Sequence, residues 1–181
     1  MLGADYVWPR KMFEVCRSEL EGFGGNIVGE RFMPLDKIED YSALIRRIRH
    51  RKPSVLVMAA PGRIHVGFLK QARAAGLLAS LTVGVLANMQ TYSADFPVRE
   101  DERMFACVPF VADDPATGVR QFVKDLTPFL ASNVTLSSCT MTHYKSLIAL
   151  NAALEGAGKV SREAAMEGLR ACNIAPRQGS R

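Results

Sequence analysis

With 181 residues, 48% of them hydrophobic and 23% charged, the chain is long enough for one domain and too apolar to stay disordered. The formal net charge of +5 is modest, and no aromatic platform is interleaved with the basic residues, so a nucleic-acid partner is not expected. No run approaches the roughly 18 consecutive apolar residues of a membrane span, and the N-terminus lacks the basic-then-apolar pattern of a secretory signal.

The first predicted element is a turn. Residues 3–10 (GADYVWPR) carry two aromatic side chains, Tyr6 and Trp8, and Pro9 is placed to open a helix. Only Met1 and Leu2 lie ahead of it, so no strand is expected there. Met12, Phe13, Cys16, Leu20 and Phe23 then recur at helical spacing, and Gly24 and Gly25 stop the run. The glycines between Gly22 and Gly29 lie after a helix and before a strand, the reverse of a dinucleotide fingerprint.

Asn26 to Met33 reads as a strand closed by Pro34. Asp36 is the predicted N-cap of a helix to about Arg51, with Ile38, Tyr41, Leu44, Ile45 and Ile48 on its inner face. Arg46, Arg47, Arg49, Arg51 and Lys52 form its solvated, cation-rich end. Ser54 to Ala60 is a continuous apolar run, as in a central parallel strand covered on both faces. Pro61-Gly62-Arg63 follows that strand and opens a helix from Ile64 to Ala75, a junction suited to anion binding by free backbone N–H groups. Arg63 is either an ordinary exposed arginine or the partner of a small carboxylate.

Ala79 to Val83 reads as a short strand, residues 84–102 as irregular with a short helix near Val85 to Gln90, and Met104 to Val111 as an edge strand containing Pro109. A helix from Asp113 to about Leu130, bent by Pro128, precedes a long amphipathic helix from Ser137 or Ser138 to Glu155. Ser161 starts a last helix ending near Cys172. Strands alternating with helices and joined by right-handed crossovers make an α/β fold with a mainly parallel sheet, and no linker divides residues 1–181.

Chemistry-bearing residues are sparse. Cys16, Cys107, Cys139 and Cys172 form no C-x-x-C pair, and Cys16 and Cys139 read as small core residues. His50, His65 and His143 are dispersed, so no metal site and no cofactor are expected. His143 and Tyr144 read as packing residues beside an apolar helix stripe. No G-x-S-x-G occurs, and an enzyme reading is left to a small α/β hydrolase or transferase using His65 or His143.

The opening GADYVWPR, followed by a helix and then GGNIVGERFMPL, resembles the second lobe of type I periplasmic binding proteins. It is most similar to the urea and short-chain-amide binders of ABC transporters and to the amide-sensing regulators of amidase operons. Phe68 to Leu77, Ala79 to Thr82 and Ala149 to Gly158 extend the resemblance over nearly the whole chain. The resemblance implies a three-layer, Rossmann-like lobe that is no enzyme and that closes with a second lobe on a small solute. Tyr6 and Trp8 would pack on a urea, short amide or amino-acid-like ligand, with a hydroxyl from Ser80 or Thr82 and with Arg63 nearby.

Departures from that pattern bear on the ligand. Ala59-Ala60 stands where the family has polar residues, Gly62-Arg63-Ile64 where it has Gly-Asp/Glu-Ser, and Met141 where an acid commonly precedes the helix tyrosine. Fewer acids and an added arginine suit a more anionic solute. The family's length is about twice this one, so the expectation is one lobe without its first lobe, the strand before Gly3 or the strands after Arg181, as in an engineered fragment, a degraded gene or a standalone remnant. The implied partners are the solute, the absent N-terminal lobe and an ABC permease, or a regulatory protein if the chain is an amide sensor. Self-association is a further expectation. The resemblance implies the periplasm, whereas a complete product without an export signal would be cytoplasmic.

Overall fold

The computed structural model describes residues 1–35, 39–86, 90–131 and 134–171. They divide into two compact units, Met1–Cys107 and Val108–Arg181. The first holds a five-stranded, all-parallel sheet in the order β2-β1-β3-β4-β5. Its strands are β1 (Leu2–Ala4), β2 (Arg31–Met33), β3 (Val55–Ala59), β4 (Thr82–Val85) and β5 (Arg103–Ala106), and its helices are α1 (Val7–Gly22), α2 (Ser42–Arg51) and α3 (Gly62–Ala74).

Strand alternation divides the sheet into two faces. Leu2, Ala4, Met33, Leu56, Met58, Val83 and Val85 point to one face and pack with Ile45 of α2 and with Ile64, Phe68 and Leu69 of α3 in a single core. Gly3 and Phe32 point to the other face, where α1 lies. Phe13 of α1 is 5.5 Å from the Phe32 ring, and a Cβ on Gly3 would stand 3.0 Å from both Phe13 and Pro9. Glycine at this position lets α1 rest directly on β1. Toward β5 the same face is open: Val55 and Phe105 are 45% and 58% exposed.

Several boundaries differ from the expectations. Leu2–Ala4 is itself a strand, because Gly3 pairs with both Phe32 and Ala59, so the opening motif is a strand-to-helix junction. β2 is only Arg31–Met33, the glycine-rich stretch before it lying outside the ladder. The N-cap expected at Asp36 and the inner-face position at Ile38 lie outside the described residues. α2 instead begins at Ser42, whose N–H (2.9 Å) and hydroxyl (2.6 Å) both donate to the Asp40 carboxylate. Those bonds hold the Asp40 carboxyl below its usual range. β4 is shifted carboxyl-ward, to Thr82–Val85, and β5 stops at Ala106, before Pro109.

The second unit contains α4 (Thr117–Leu126), α5 (Ser138–Ala157) and α6 (Arg162–Ala171), with a single 3-10 turn Thr127–Phe129 where Pro128 ends the α4 pattern. The Ser137 N–H donates to the Thr140 hydroxyl at the start of α5 (3.3 Å). α5 and α6 meet where Gly168 lies against Ala153. Phe110, Phe122 and Leu136 form the unit's small core. Tyr144 packs its ring on Phe122 at 4.9 Å, whereas His143 is exposed. Cys139, expected in the core, is exposed.

Candidate functional site

The strand order 2-1-3-4-5 has one switch point. The chain leaves β1 toward β2 on one side and returns beyond β1 to β3 on the other, so the connections after β1 and β3 diverge to opposite faces. Open parallel sheets form a ligand crevice at such a point, at the carboxyl ends of the strands, and the residues standing there, after β1 and β3, are Asp5 to Trp8 and Ala60 to Arg63. Each segment runs straight into a helix whose first-turn N–H groups point back toward the crevice. The N-cap residues, Tyr6 and Pro61, are both extended and make no side-chain cap hydrogen bond, and neither first turn contains an acid. Neither helix end therefore carries a side-chain cap, and the acid beside α1, Asp5, is already paired with Arg10.

Tyr6 and Trp8 stack with ring centroids 6.3 Å apart and planes at 28°. Both are half-buried, and Tyr6 packs its inner edge on the core, where burial pushes its hydroxyl pKa up. Asp5, the acid of this loop, is tied to Arg10, whose Nε donates to it at 3.2 Å. Arg63 is exposed and makes no ion pair among the described residues. Gly62, with φ +69°, occupies the left-handed region that a side chain would strain.

Ser80 and Thr82 are at the other end of the sheet. Thr82 is the first residue of β4 and pairs with Val55, the first of β3; Ser80 lies in the preceding turn, with its hydroxyl donating to the Leu77 carbonyl at 3.2 Å. The structure thus brings Tyr6, Trp8 and Arg63 to one end and does not bring Ser80 or Thr82 to them. The reason is the shift of β4: its carboxyl end is Val85, followed by Leu86, and the next three positions lie outside the described residues.

Sequence reasoning missed Tyr92. It ends a short 3-10 turn, Gln90–Tyr92, in the β4–β5 connection, and its hydroxyl lies 3.8 Å from where a Gly62 Cβ would be. The connection is clamped to α3: Arg73 makes a bidentate pair with the buried Glu102, both bonds 2.6 Å, and its guanidinium covers the Phe96 ring at 3.6 Å. Below Tyr92, at 6.4 Å between rings, sits His65, 1% exposed, with no well-formed hydrogen bond to either ring nitrogen. Burial pushes its pKa down to about 4 against an opposing pull from the Ala60 backbone. With its pKa at about 4 and its ring 1% exposed, His65 is a weak base closed off from solvent. Among the described residues no cluster of three or more His, Cys, Asp or Glu could hold a metal, and no helix is long and apolar enough to cross a membrane.

The stacked pair Tyr6 and Trp8, two helix N-termini and Arg63 thus share the carboxyl end of the sheet at its switch point. The profile of the family described as periplasmic binding protein matches residues 1–176, and the chain belongs to that family. Similar solved structures include a solute-binding protein of an ABC transporter from Rhodopseudomonas palustris in complex with p-hydroxybenzoic acid (16% identity, TM-score 0.80, 92% of this chain and 46% of that one). Another is a branched-chain amino acid ABC transporter ligand-binding protein from Burkholderia xenovorans (19%, 0.72, 96% and 46%). A third is an amino acid ABC transporter substrate-binding protein from Pseudomonas fluorescens (18%, 0.75, 98% and 46%). The chain therefore spans less than half the length of these structures. No curated protein sequence matches it significantly.

Proposed function

We propose that this chain is one lobe, over residues 1–181, of a two-lobed solute receptor for an ABC-type importer, and that its solute is a small carboxylate with an apolar or planar body. The observation that carries the reading is the crevice end of the sheet. Two uncapped helix N-termini and the unpaired Arg63 favour an anion, while the Tyr6–Trp8 stack favours a flat or apolar body. No acid free of an ion pair stands at these two junctions to hold the ammonium of an amino acid. The similar structures hold or are named for benzoates and amino acids, which supports the carboxylate.

A second reading, a urea or short-chain-amide binder, acting in transport or as a cytoplasmic amide-sensing regulator, rests on the sequence resemblance that opens with GADYVWPR and GGNIVGERFMPL. It predicts indifference to Arg63 and, for the regulator, a protein partner in place of a permease. Chemical-shift titration with 4-hydroxybenzoate, leucine, acetamide and urea separates the readings. The expected result is movement of Tyr6, Trp8 and Arg63 resonances by the carboxylates first, with Arg63→Gln weakening them about tenfold, the loss of one charge-assisted hydrogen bond. Acetamide or urea binding with no response to carboxylates would establish the amide reading.

A further inference from the structure

The net charge of the chain is not spread over it. Residues 46–52 hold Arg46, Arg47, Arg49, Arg51 and Lys52 with no acid among them, and the remaining 18 lysines and arginines are matched by the chain's 18 acids. The whole formal charge of +5 therefore belongs to α2 and its C-cap residue, Lys52, with His50 in their midst.

Helical geometry gathers these cations on one surface. Tyr41 and Ile45 are buried and Leu44 and Ile48 pack against the same core, which turns Arg46, Arg47 and His50 to the outer side, where all three are exposed. The flanking arginines are tethered to backbone: Arg49 donates to the Ala75 carbonyl after α3, and Arg51 to the Val28 carbonyl ahead of β2. A carbonyl fixes a guanidinium without neutralising it. None of the five cations makes an ion pair among the described residues. The acid closest to them in charge is Asp40, which feels Arg46 but already accepts from the Ser42 N–H and hydroxyl.

Helix stability does not account for this pattern. Cations near the carboxyl end complement the helix dipole, which covers Arg49, Arg51 and Lys52. Arg46 and Arg47 stand in the middle of the helix, and Arg47 is four residues from Arg51, a spacing at which like charges repel. A face serving only solubility mixes both signs.

We propose that the outer face of α2 is an adsorption surface for the anionic phospholipid headgroups of a bilayer. Clusters of about four to eight lysines and arginines on one helix have the charge density that such surfaces attract. The apolar side of α2 is already committed to the core, so the helix rests on the headgroups without inserting. A protein partner fits less well. Interface cores are depleted of charge and built on aromatic or apolar anchors, whereas Ala43 is the sole apolar side chain on the outer face of α2. The inference is independent of the solute and of the crevice residues Tyr6, Trp8 and Arg63.

The test is cosedimentation of the full chain with phosphatidylcholine vesicles, with and without phosphatidylglycerol. Two double variants of equal net charge are compared: Arg46→Gln with Arg47→Gln, and Lys145→Gln with Lys159→Gln, two exposed lysines far along the chain. The parent binds only the phosphatidylglycerol vesicles and is released by salt. The arginine pair weakens that binding about 25-fold, about fivefold for each residue, with an unchanged melting temperature, and the lysine pair changes it less than about twofold. Equal losses in the two pairs overturn the proposal, because net charge and not the α2 face would then control binding. So does an absence of vesicle binding by the parent. Tighter binding of polyglutamate or of a DNA duplex than of the vesicles also overturns it, and makes the face a protein or nucleic-acid surface.

Discussion

His65 is the residue whose protonation the fold resists most directly. A proton on its imidazole would place a cation on a ring that is 1% exposed and faces the Tyr92 ring, and burial is why its pKa falls to about 4. The unfolded chain takes up that proton near pH 6.5, so between 6.5 and 4 the unfolded state binds more protons than the folded one. Stability is therefore intact above the unfolded value, declines as the pH drops through this window, and levels off below the folded value. The full effect is on the order of 3 kcal/mol. Urea midpoints measured from neutral to mildly acidic pH should fall for the natural sequence and stay nearly flat for His65→Gln across the same window. A His65→Gln profile as steep as the parent's would show that another group controls the acid response.

At the scale of elements, the connection between β4 and β5 owes its position to a single clamp. Arg73 bonds both Glu102 carboxylate oxygens, donates to the Pro97 carbonyl at 2.8 Å and covers Phe96, which is itself buried. The hydrogen bonds from Arg73 hold the Glu102 carboxyl below its usual range. Replacing Arg73 by Met keeps the stem and leaves a buried carboxylate unpaired, at a cost of about 3 kcal/mol. Hydrogen exchange should then accelerate first in residues 90–102, with Tyr92 losing its place over Gly62. Unchanged exchange there would mean that Phe96 alone anchors the connection.

The same segment shows what was legible in the sequence and what was not. The apolar run of β3 and the Pro61-Gly62 junction were readable because proline and glycine mark both of its ends. Residues 77–86 offer no such mark: Leu77, Leu78, Leu81, Val83 and Val85 are all buried, so composition could not tell turn from strand. The boundary was set instead by pairing with Val55, a contact distant in sequence. Ser80 and Thr82 were implied by resemblance alone, and with β4 beginning at Thr82 both stand at the amino end of the sheet. Tyr92 had no local signal, since its place depends on an ion pair between α3 and the start of β5. The place of Tyr6, Trp8 and Arg63 at the carboxyl end of the sheet was legible because each lies within four residues of the end of a strand, where short-range turn chemistry decides position.

For the whole molecule, the balance of exposed and buried surface predicts how the chain behaves alone. It spans 46% of the similar receptors, and Val55 and Phe105 on the open sheet face and Leu147 and Ile148 on α5 are all more than two-fifths exposed. Apolar surface of this kind is removed from water in assemblies, so concentration-dependent self-association is the expected state of the isolated chain. Affinity should suffer for a related reason. Small-molecule sites bury roughly 70–90% of their ligand, and the crevice end of one sheet, with Tyr6, Trp8 and Arg63 on its lip, covers a solute from one side only. Calorimetry should find binding no tighter than about millimolar, near −4 kcal/mol. Sedimentation should find the mass rising with concentration. The two measurements separate the possibilities, because self-association can be suppressed by dilution while a half-covered ligand stays half-covered. A chain that remains monomeric at high concentration and binds one carboxylate at micromolar affinity would be a self-sufficient receptor, and the one-lobe reading would fall.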